Sequence, residues 1–157
     1  MKKIPIHNRT TKNLFALVDD EDFERVNQFR WWLVGRGYAA THAYVGNKRV
    51  VQYLHRLILN PGPGLEIDHR NRNRLDCRKQ NIRACTHKQN LQYRRKFKNN
   101  SSGYKGVYRR DGVWVACASV NGRSVFLGGF STPEEAARKY NEEALRSYGE
   151  FADLNEV

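Results

Sequence analysis

From Tyr104 to Leu127 the chain alternates in three segments, Tyr104 to Arg110, Val113 to Val120 and Arg123 to Leu127, joined by Asp111-Gly112 and Asn121-Gly122. Asp-Gly and Asn-Gly readily take the positive φ angles of two-residue hairpin turns, so this stretch is an antiparallel meander. In the middle segment Trp114, Ala116, Ala118 and Val120 share one face, and Val113, Val115, Cys117 and Ser119 the other. The two alanines leave room for a helix, and one follows at once. Thr132-Pro133-Glu134-Glu135 combines a cap residue, proline at the first helical position and a glutamate that completes a capping box. Ala136, Ala137, Tyr140, Ala144 and Tyr148 then recur on one helical face up to Gly149. A three-stranded sheet packed on one helix is the expected C-terminal unit.

The preceding part reads as mixed α and β structure. Acids at Asp19, Asp20 and Asp22 open a short helix whose inner face is Phe23, Val26 and Phe29. Trp31 to Val34, Tyr38 to Val45 and Lys48 to Leu54 are strand-like, the last two joined at Gly46-Asn47. Trp31, Trp32 and Tyr53 are expected in the core. Leu54 to Leu59 suits a short helix ended by Asn60-Pro61-Gly62-Pro63-Gly64, and Leu65 to Asp68 is a strand. A further helix starts near Thr86, where Thr86-His87-Lys88-Gln89 has capping-box form. Arg94 to Gly103 loses apolar periodicity, which places a basic linker at 96–102 between a domain at 1–95 and another at 103–155. The fold class is α+β.

The 157 residues carry 28 Lys and Arg against 16 Asp and Glu, a formal charge of +12. Residues 70 to 110 hold fourteen of the bases and only Asp76 as an acid, a local net of +13 that leaves the rest of the chain at −1. Charge so concentrated is placed for a polyanion. Mean hydropathy is −0.79 and no apolar run approaches membrane-spanning length, so a membrane protein is excluded. Cys77, Cys85 and Cys117, with no export signal, suggest a reducing compartment rather than a disulfide scaffold. Binding to a polyanion through this run should weaken with salt, at a log–log slope of about −0.9 per phosphate neutralised. A slope near zero in a salt titration would contradict the electrostatic reading.

The densest chemistry lies between Ile67 and Asn90. Asp68 and His69 stand together at a strand end, Asn81 follows twelve residues after the histidine and Asn90 nine after that, on the first turn of a helix. A hard divalent cation takes oxygen ligands, which Asp68 and the Asn90 carbonyl supply. A neutral His69 can accept the proton of an attacking water. Asp68–His69 alone would be read as a surface turn and Asn81 alone as a turn former. His55 and His87 read as local packing and as a neighbour of the cap. Cys77 and Cys85 lack the second pair a structural zinc site needs.

Asp68-His69-Arg70-Asn71, then Leu75-Asp76-Cys77-Arg78-Lys79-Gln80-Asn81-Ile82-Arg83, and finally Asn90, resemble the HNH (ββα-metal) nuclease motif in its H-N-N form, as in phage and intron-encoded homing endonucleases. The resemblance implies His69 as general base, Asp68 and Asn90 as ligands of Mg²⁺ or Mn²⁺, and Asn81 as the group that orients the histidine. Arg72 stands where glycine is usual and Cys77 where asparagine is common. More weakly, the first sixty residues resemble the small supporting sheet that precedes this motif.

Tyr104-Lys105-Gly106-Val107-Tyr108, Trp114-Val115-Ala116, Phe126-Leu127-Gly128-Gly129-Phe130, Glu134 to Asn141 and Phe151-Ala152-Asp153-Leu154-Asn155 resemble the APETALA2/ethylene-response-factor DNA-binding domain over residues 103 to 155. That resemblance implies a sheet laid in the DNA major groove, with Tyr108, Arg110, Ser119, Ser124 and Phe126 facing it and Arg109 and Arg123 nearby. Several arginine positions of that family are Tyr108, Ser119 and Ser124 here, so its base preference does not transfer. Arg70, Arg72, Arg74, Arg78, Arg83, Arg94, Arg95, Lys96, Lys98 and Lys105 are the expected backbone contacts.

The combined reading is a metal-dependent endonuclease that cuts or nicks double-stranded DNA. It is expected to act as a monomer, without membrane or small-molecule cofactor, in the cytoplasm of a bacterial or phage-infected cell, with a phage or other mobile element as its source. The alternative is a non-catalytic DNA-binding regulator that retains the HNH scaffold.

Overall fold

The computed structural model describes residues 1–8, 10–93 and 100–157. The expected contacts Arg94, Arg95, Lys96 and Lys98 therefore lie outside the described residues. Two compact units emerge, Met1–His87 and Lys88–Val157.

In the first unit β1 (Lys2–His7), β2 (Phe15–Val18), β3 (Trp31–Val34), β4 (Tyr38–Val45) and β5 (Lys48–Tyr53) form one sheet in the order β2-β1-β3-β4-β5. Helix α1 (Asp20–Asn27) follows β2, and α2 (Leu54–Leu59) follows β5. The first helix opens with Asp20, Glu21 and Asp22, whose charges suit the positive end of its dipole. Val26 is its buried apolar residue, while Phe29 lies beyond the helix end and is exposed. The core gathers Ile4, Ile6, Val18, Val26, Trp31, Leu54 and Ile58, and Ile67 and Ile82 join it from a separate hairpin.

Trp31 is fully buried and its indole N–H donates to the Val26 carbonyl at 2.8 Å. Trp32 and Tyr53 are not core residues as expected: Trp32 is 38% exposed and Tyr53 half-buried. Adjacent residues of a strand point to opposite faces, so only one of the two tryptophans can enter this core.

The hairpin is β6 (Glu66–His69) paired antiparallel with β7 (Ile82–Cys85), and α3 (His87–Gln92) follows it. Strand, strand and helix follow one another in this order along the chain.

In the second unit β8 (Val107–Arg110), β9 (Val113–Val120) and β10 (Arg123–Phe130) form the expected meander, packed on α4 (Pro133–Tyr148). Asp111 and Asn121 take φ of 49° and 51°, and the glycines after them 82° and 79°. The third strand runs to Phe130, three residues beyond the expectation, because a β-bulge between Phe126 and Gly128 lets pairing resume with Ala116, Val115 and Trp114. The first strand begins only at Val107, since Gly106 turns the chain at φ 73°.

Both halves of the α4 capping box form: Glu135 N–H donates to Thr132 Oγ1, and Thr132 N–H to Glu135 Oε2, each at 3.2 Å. Val107 and Ala116 meet Ala136 and Ala137, and Ala118 meets Tyr140 and Ala144, the face assigned from the alternation. Asn155 closes the unit by bonding both backbone groups of Lys105 and the Asn141 side chain.

A methyl group at Gly106 would lie 2.2 Å from the Tyr140 ring and 2.6 Å from the Cys117 carbonyl. Gly106→Ala therefore meets both a left-handed backbone and a closed space, and should destabilise the second unit by about 2–4 kcal/mol. Urea unfolding followed by Trp114 fluorescence measures it. An unchanged midpoint would contradict the packing.

Candidate active site

β6 carries Glu66, Ile67, Asp68 and His69, and the last three are buried. Asp68 pairs across the hairpin with Arg83, and His69 with Ile82. Cross-strand partners point to the same face, so Arg83 reaches Asp68 directly. Its Nε and Nη2 lie 2.9 and 2.8 Å from Oδ2. Both contacts fall on one carboxylate oxygen, leaving Oδ1 without a described partner.

The loop from 70 to 81 is tied by its own short polar side chains. Asn81 Oδ1 accepts from the Asn71 backbone N–H at 2.9 Å, and its Nδ2 donates to the Asp76 carbonyl at 2.7 Å. The Asn81 carbonyl also accepts from Arg70 N–H at 2.8 Å. Asp76 is 1% exposed and receives Arg78 Nε and Nη2 at 2.7 Å each and Asn71 Nδ2 at 2.8 Å. The Arg78 guanidinium, with help from Asn71, holds the Asp76 carboxyl below its ordinary range. Leu17 of β2 exchanges backbone bonds with Leu75 and Cys77, anchoring the loop to the large sheet.

Arg72 has φ of 62°, the left-handed conformation that glycine adopts without strain. The glycine of the resembled motif thus marks a backbone requirement, which the arginine here meets at some conformational cost.

These contacts correct several expectations. Asn81 makes no described bond to the His69 ring; it braces the turn that follows the histidine. Arg83 is buried against Asp68 and Arg78 is clamped to Asp76, so neither presents its guanidinium as a surface phosphate contact. Arg74 donates to the Arg36 carbonyl and lies 5.1 Å over the Tyr38 ring. Lys105 is engaged within its own unit, with Nζ 2.6 Å from the Gln92 carbonyl and 3.5 Å from Asp153. Arg70 and Arg72 stand at the surface of the loop. Asn90 is half-buried on α3.

In the second unit Tyr108, Arg110, Ser119, Ser124 and Phe126 are exposed on the sheet face away from α4, Phe126 by 66%. Arg109 and Arg123 pair with Trp114 and Val120 and so fall on the opposite parity, at strand ends. The Arg109 guanidinium rests 5.6 Å over the Trp114 ring.

His69 is 5% exposed, and its Nε2 is buried without a hydrogen-bond partner among the described residues. Leaving such a group unpaired costs about 1–3 kcal/mol. The ring lies 5.3 Å from the His55 ring and 6.0 Å from Tyr38. Burial pushes His69 down to about 4, against the opposing pull of Asp68 and Asp76, and pushes His55 down to about 3. Both rings are therefore neutral near pH 7. The sequence alone assigned His55 to local packing, and nothing in the residues around it showed that it would meet His69. Burial raises the Cys77 thiol to about 12 and Cys85 to about 11, so neither is a nucleophile or a thiolate ligand at neutral pH. Among the described residues no three His, Cys, Asp or Glu side chains cluster as a metal cage.

The neutral histidines make stability depend on pH. An unfolded histidine titrates near ~6.5. As pH falls from there towards 4, the unfolded chain takes up protons that the folded chain refuses, so stability is full above the window and lost on acidification. With two such rings the slope reaches about 2.7 kcal/mol per pH unit. The urea midpoint should fall clearly between pH 7.5 and 5, and His55→Phe should remove about half of the slope. A flat profile would contradict neutral burial.

Residues 52–92 match the family model described as HNH endonuclease. Over 149 residues, 93% of this chain and 77% of the relative, the sequence is 28% identical to an uncharacterized HNH endonuclease of Acanthamoeba polyphaga mimivirus. It is 44% identical over 64 residues to APETALA2-like protein 2 of Oryza sativa subsp. indica, a match covering 40% of this chain and 15% of that protein. An AP2-like ethylene-responsive transcription factor of Arabidopsis thaliana is 44% identical over 66 residues, 41% of this chain and 14% of that one. Among solved structures, one titled "DNA binding and cleavage by the HNH homing endonuclease I-HmuI" aligns with 76% of this chain and 75% of its own, at 19% identity and a TM-score of 0.39.

Proposed function

We propose that this chain, whose residues 52–92 carry the HNH endonuclease pattern, hydrolyses phosphodiester bonds of duplex DNA, with His69 as the general base. One observation carries the reading: a buried, neutral imidazole with an unpartnered nitrogen at the end of β6, immediately after a carboxylate. Near pH 7 that nitrogen can accept a proton, and the bonds that fix the loop through Asn81 and Asp76 hold the strand end from which it projects. Arg83 keeps Asp68 in place by engaging one of its oxygens.

The donor set suits a hard divalent cation. Asp68 has an oxygen without a described partner, and the two nearby thiols are held protonated. Asp68 and Asn90 would hold Mg²⁺ or Mn²⁺, with Asn90 assigned by its place in the motif. When bound, such an ion stabilises the charge that develops on the phosphate and on the leaving oxygen. His69 takes the proton of the attacking water, and Arg70 and Arg72 offer positive charge to the backbone beside it.

The second unit is assigned to duplex binding through the exposed face of Tyr108, Arg110, Ser119, Ser124 and Phe126. Exposed aromatic side chains and an arginine on this sheet face support this, as does the similarity of part of the chain to a plant AP2-like ethylene-responsive transcription factor. Arg110 is suited to hydrogen-bond a guanine edge. A DNA-binding regulator is the second reading, favoured by that same similarity.

The test is nicking of supercoiled plasmid with Mg²⁺, then with a chelator in excess. Expected is conversion to the open-circular form that stops on chelation. Conversion that survives the chelator removes the metal from the reading. Tight duplex binding without cleavage of any DNA favours the regulator.

A further inference from the structure

His55 has no part in the chemistry above, yet it shares the site. It is the second residue of α2, 7% exposed, and its ring stands nearly perpendicular to that of His69, at 84° and 5.3 Å between centroids. Tyr53 stacks on it at 5.5 Å and 24°, and Tyr38 touches both histidines, at 5.1 Å from His55 and 6.0 Å from His69. Packing accounts for a ring in this place but not for an imidazole, because phenylalanine would fill the space with no polar atom to satisfy. His55 Nδ1 is nonetheless buried without a hydrogen-bond partner among the described residues, as is His69 Nε2. The two nitrogens do not bond each other. Two unsatisfied nitrogens on neighbouring rings leave hydrogen-bonding capacity that no described side chain takes up.

We propose that His55 is a positioning residue for the hydrolytic water, which donates one hydrogen to His69 Nε2 and the other to His55 Nδ1. Held at both hydrogens, the water turns its lone pairs away from the rings towards phosphorus. In the step, the water oxygen bonds to phosphorus and its proton passes to His69 Nε2. The bond from phosphorus to the leaving sugar oxygen breaks with its electron pair, and that oxygen takes a proton from solvent. The second hydrogen stays on the attacking oxygen, directed at His55. Tyr38 and Tyr53 hold the His55 ring in plane. The inference rests on the nuclease reading of His69.

The test compares wild-type full chain with His55→Phe, His55→Ala and His55→Asn in steady-state plasmid nicking with Mg²⁺, alongside duplex affinity and thermal midpoint. His55→Phe should fold and bind DNA as wild type, with KM unchanged and kcat lower by roughly 10- to 100-fold. His55→Asn places an amide near the Nδ1 position and should recover several-fold over His55→Phe. Nicking by His55→Phe within twofold of wild type overturns the proposal and leaves the nuclease reading standing. Failure of His55→Asn to improve on His55→Phe overturns it as well. A wild-type chain that cleaves no DNA overturns the nuclease reading and this inference together. Should the variants fail to fold, a high-resolution crystal structure of the wild type decides. Density for a water bonded to both nitrogens supports the proposal, and its absence overturns it.

Discussion

Replacing His69 with alanine should lower plasmid nicking by roughly 10²- to 10⁴-fold, the contribution of a placed general base. Duplex affinity should stay near the wild-type value, because the ring is 5% exposed and offers DNA little surface. The loss should therefore appear in kcat. The variant also removes a neutral buried imidazole, so its stability should depend less on pH between 7.5 and 5 than that of the wild type. These two readouts separate chemistry from folding. A His69→Ala protein that nicks at the wild-type rate would exclude the histidine as base, whatever the sequence around it resembles.

Replacing Asp76 with alanine should cost about 3 kcal/mol, the lower end for breaking a buried ion pair. The carboxylate is 1% exposed and collects three strong bonds from Arg78 and Asn71. The Arg78 side chain is 25% exposed, so its charge can turn to water once released, which limits the penalty. Asn71 in turn positions Asn73, whose side chain accepts from Leu75 N–H. The whole turn between His69 and Asn81 therefore loosens together. Against a typical domain stability of about 5–15 kcal/mol this is a large share, and the urea midpoint reported by Trp31 should fall accordingly. Nicking should fall too, since the turn after His69 loses its brace. An unchanged midpoint would show that Asp76 is dispensable to the loop.

The expected meander and α4 appear in the structure because their signals are local. Two hairpin turns, a capping box and an alanine face act within a few residues of one another. Asp68 and His69 were legible as a pair, and so was the helix carrying Asn90. Trp32 was misplaced by an argument from aromatic content, which carries no information on which strand face a residue takes. Arg78 and Arg83 were counted with the basic run because composition treats all guanidiniums alike. Pairing with Asp76 and Asp68 is set by loop closure and by hairpin register. The bulge after Phe126 also escaped notice, although Gly128, at φ 140°, stands where the register shifts.

Chain order alone determined the basic segment, the turn-coded sheet with its capped helix, and the succession of carboxylate, histidine and asparagines. Each depends on interactions a few residues long, or on charge that needs no geometry. Tertiary structure decided which of the described basic residues are spent inside the fold, that Asn81 braces a loop rather than a ring, and that His55 meets His69. His55 on α2 and His69 on β6 stand fourteen positions apart in the chain, on consecutive elements, and only the packing of α2 against the β6–β7 hairpin brings their rings to 5.3 Å.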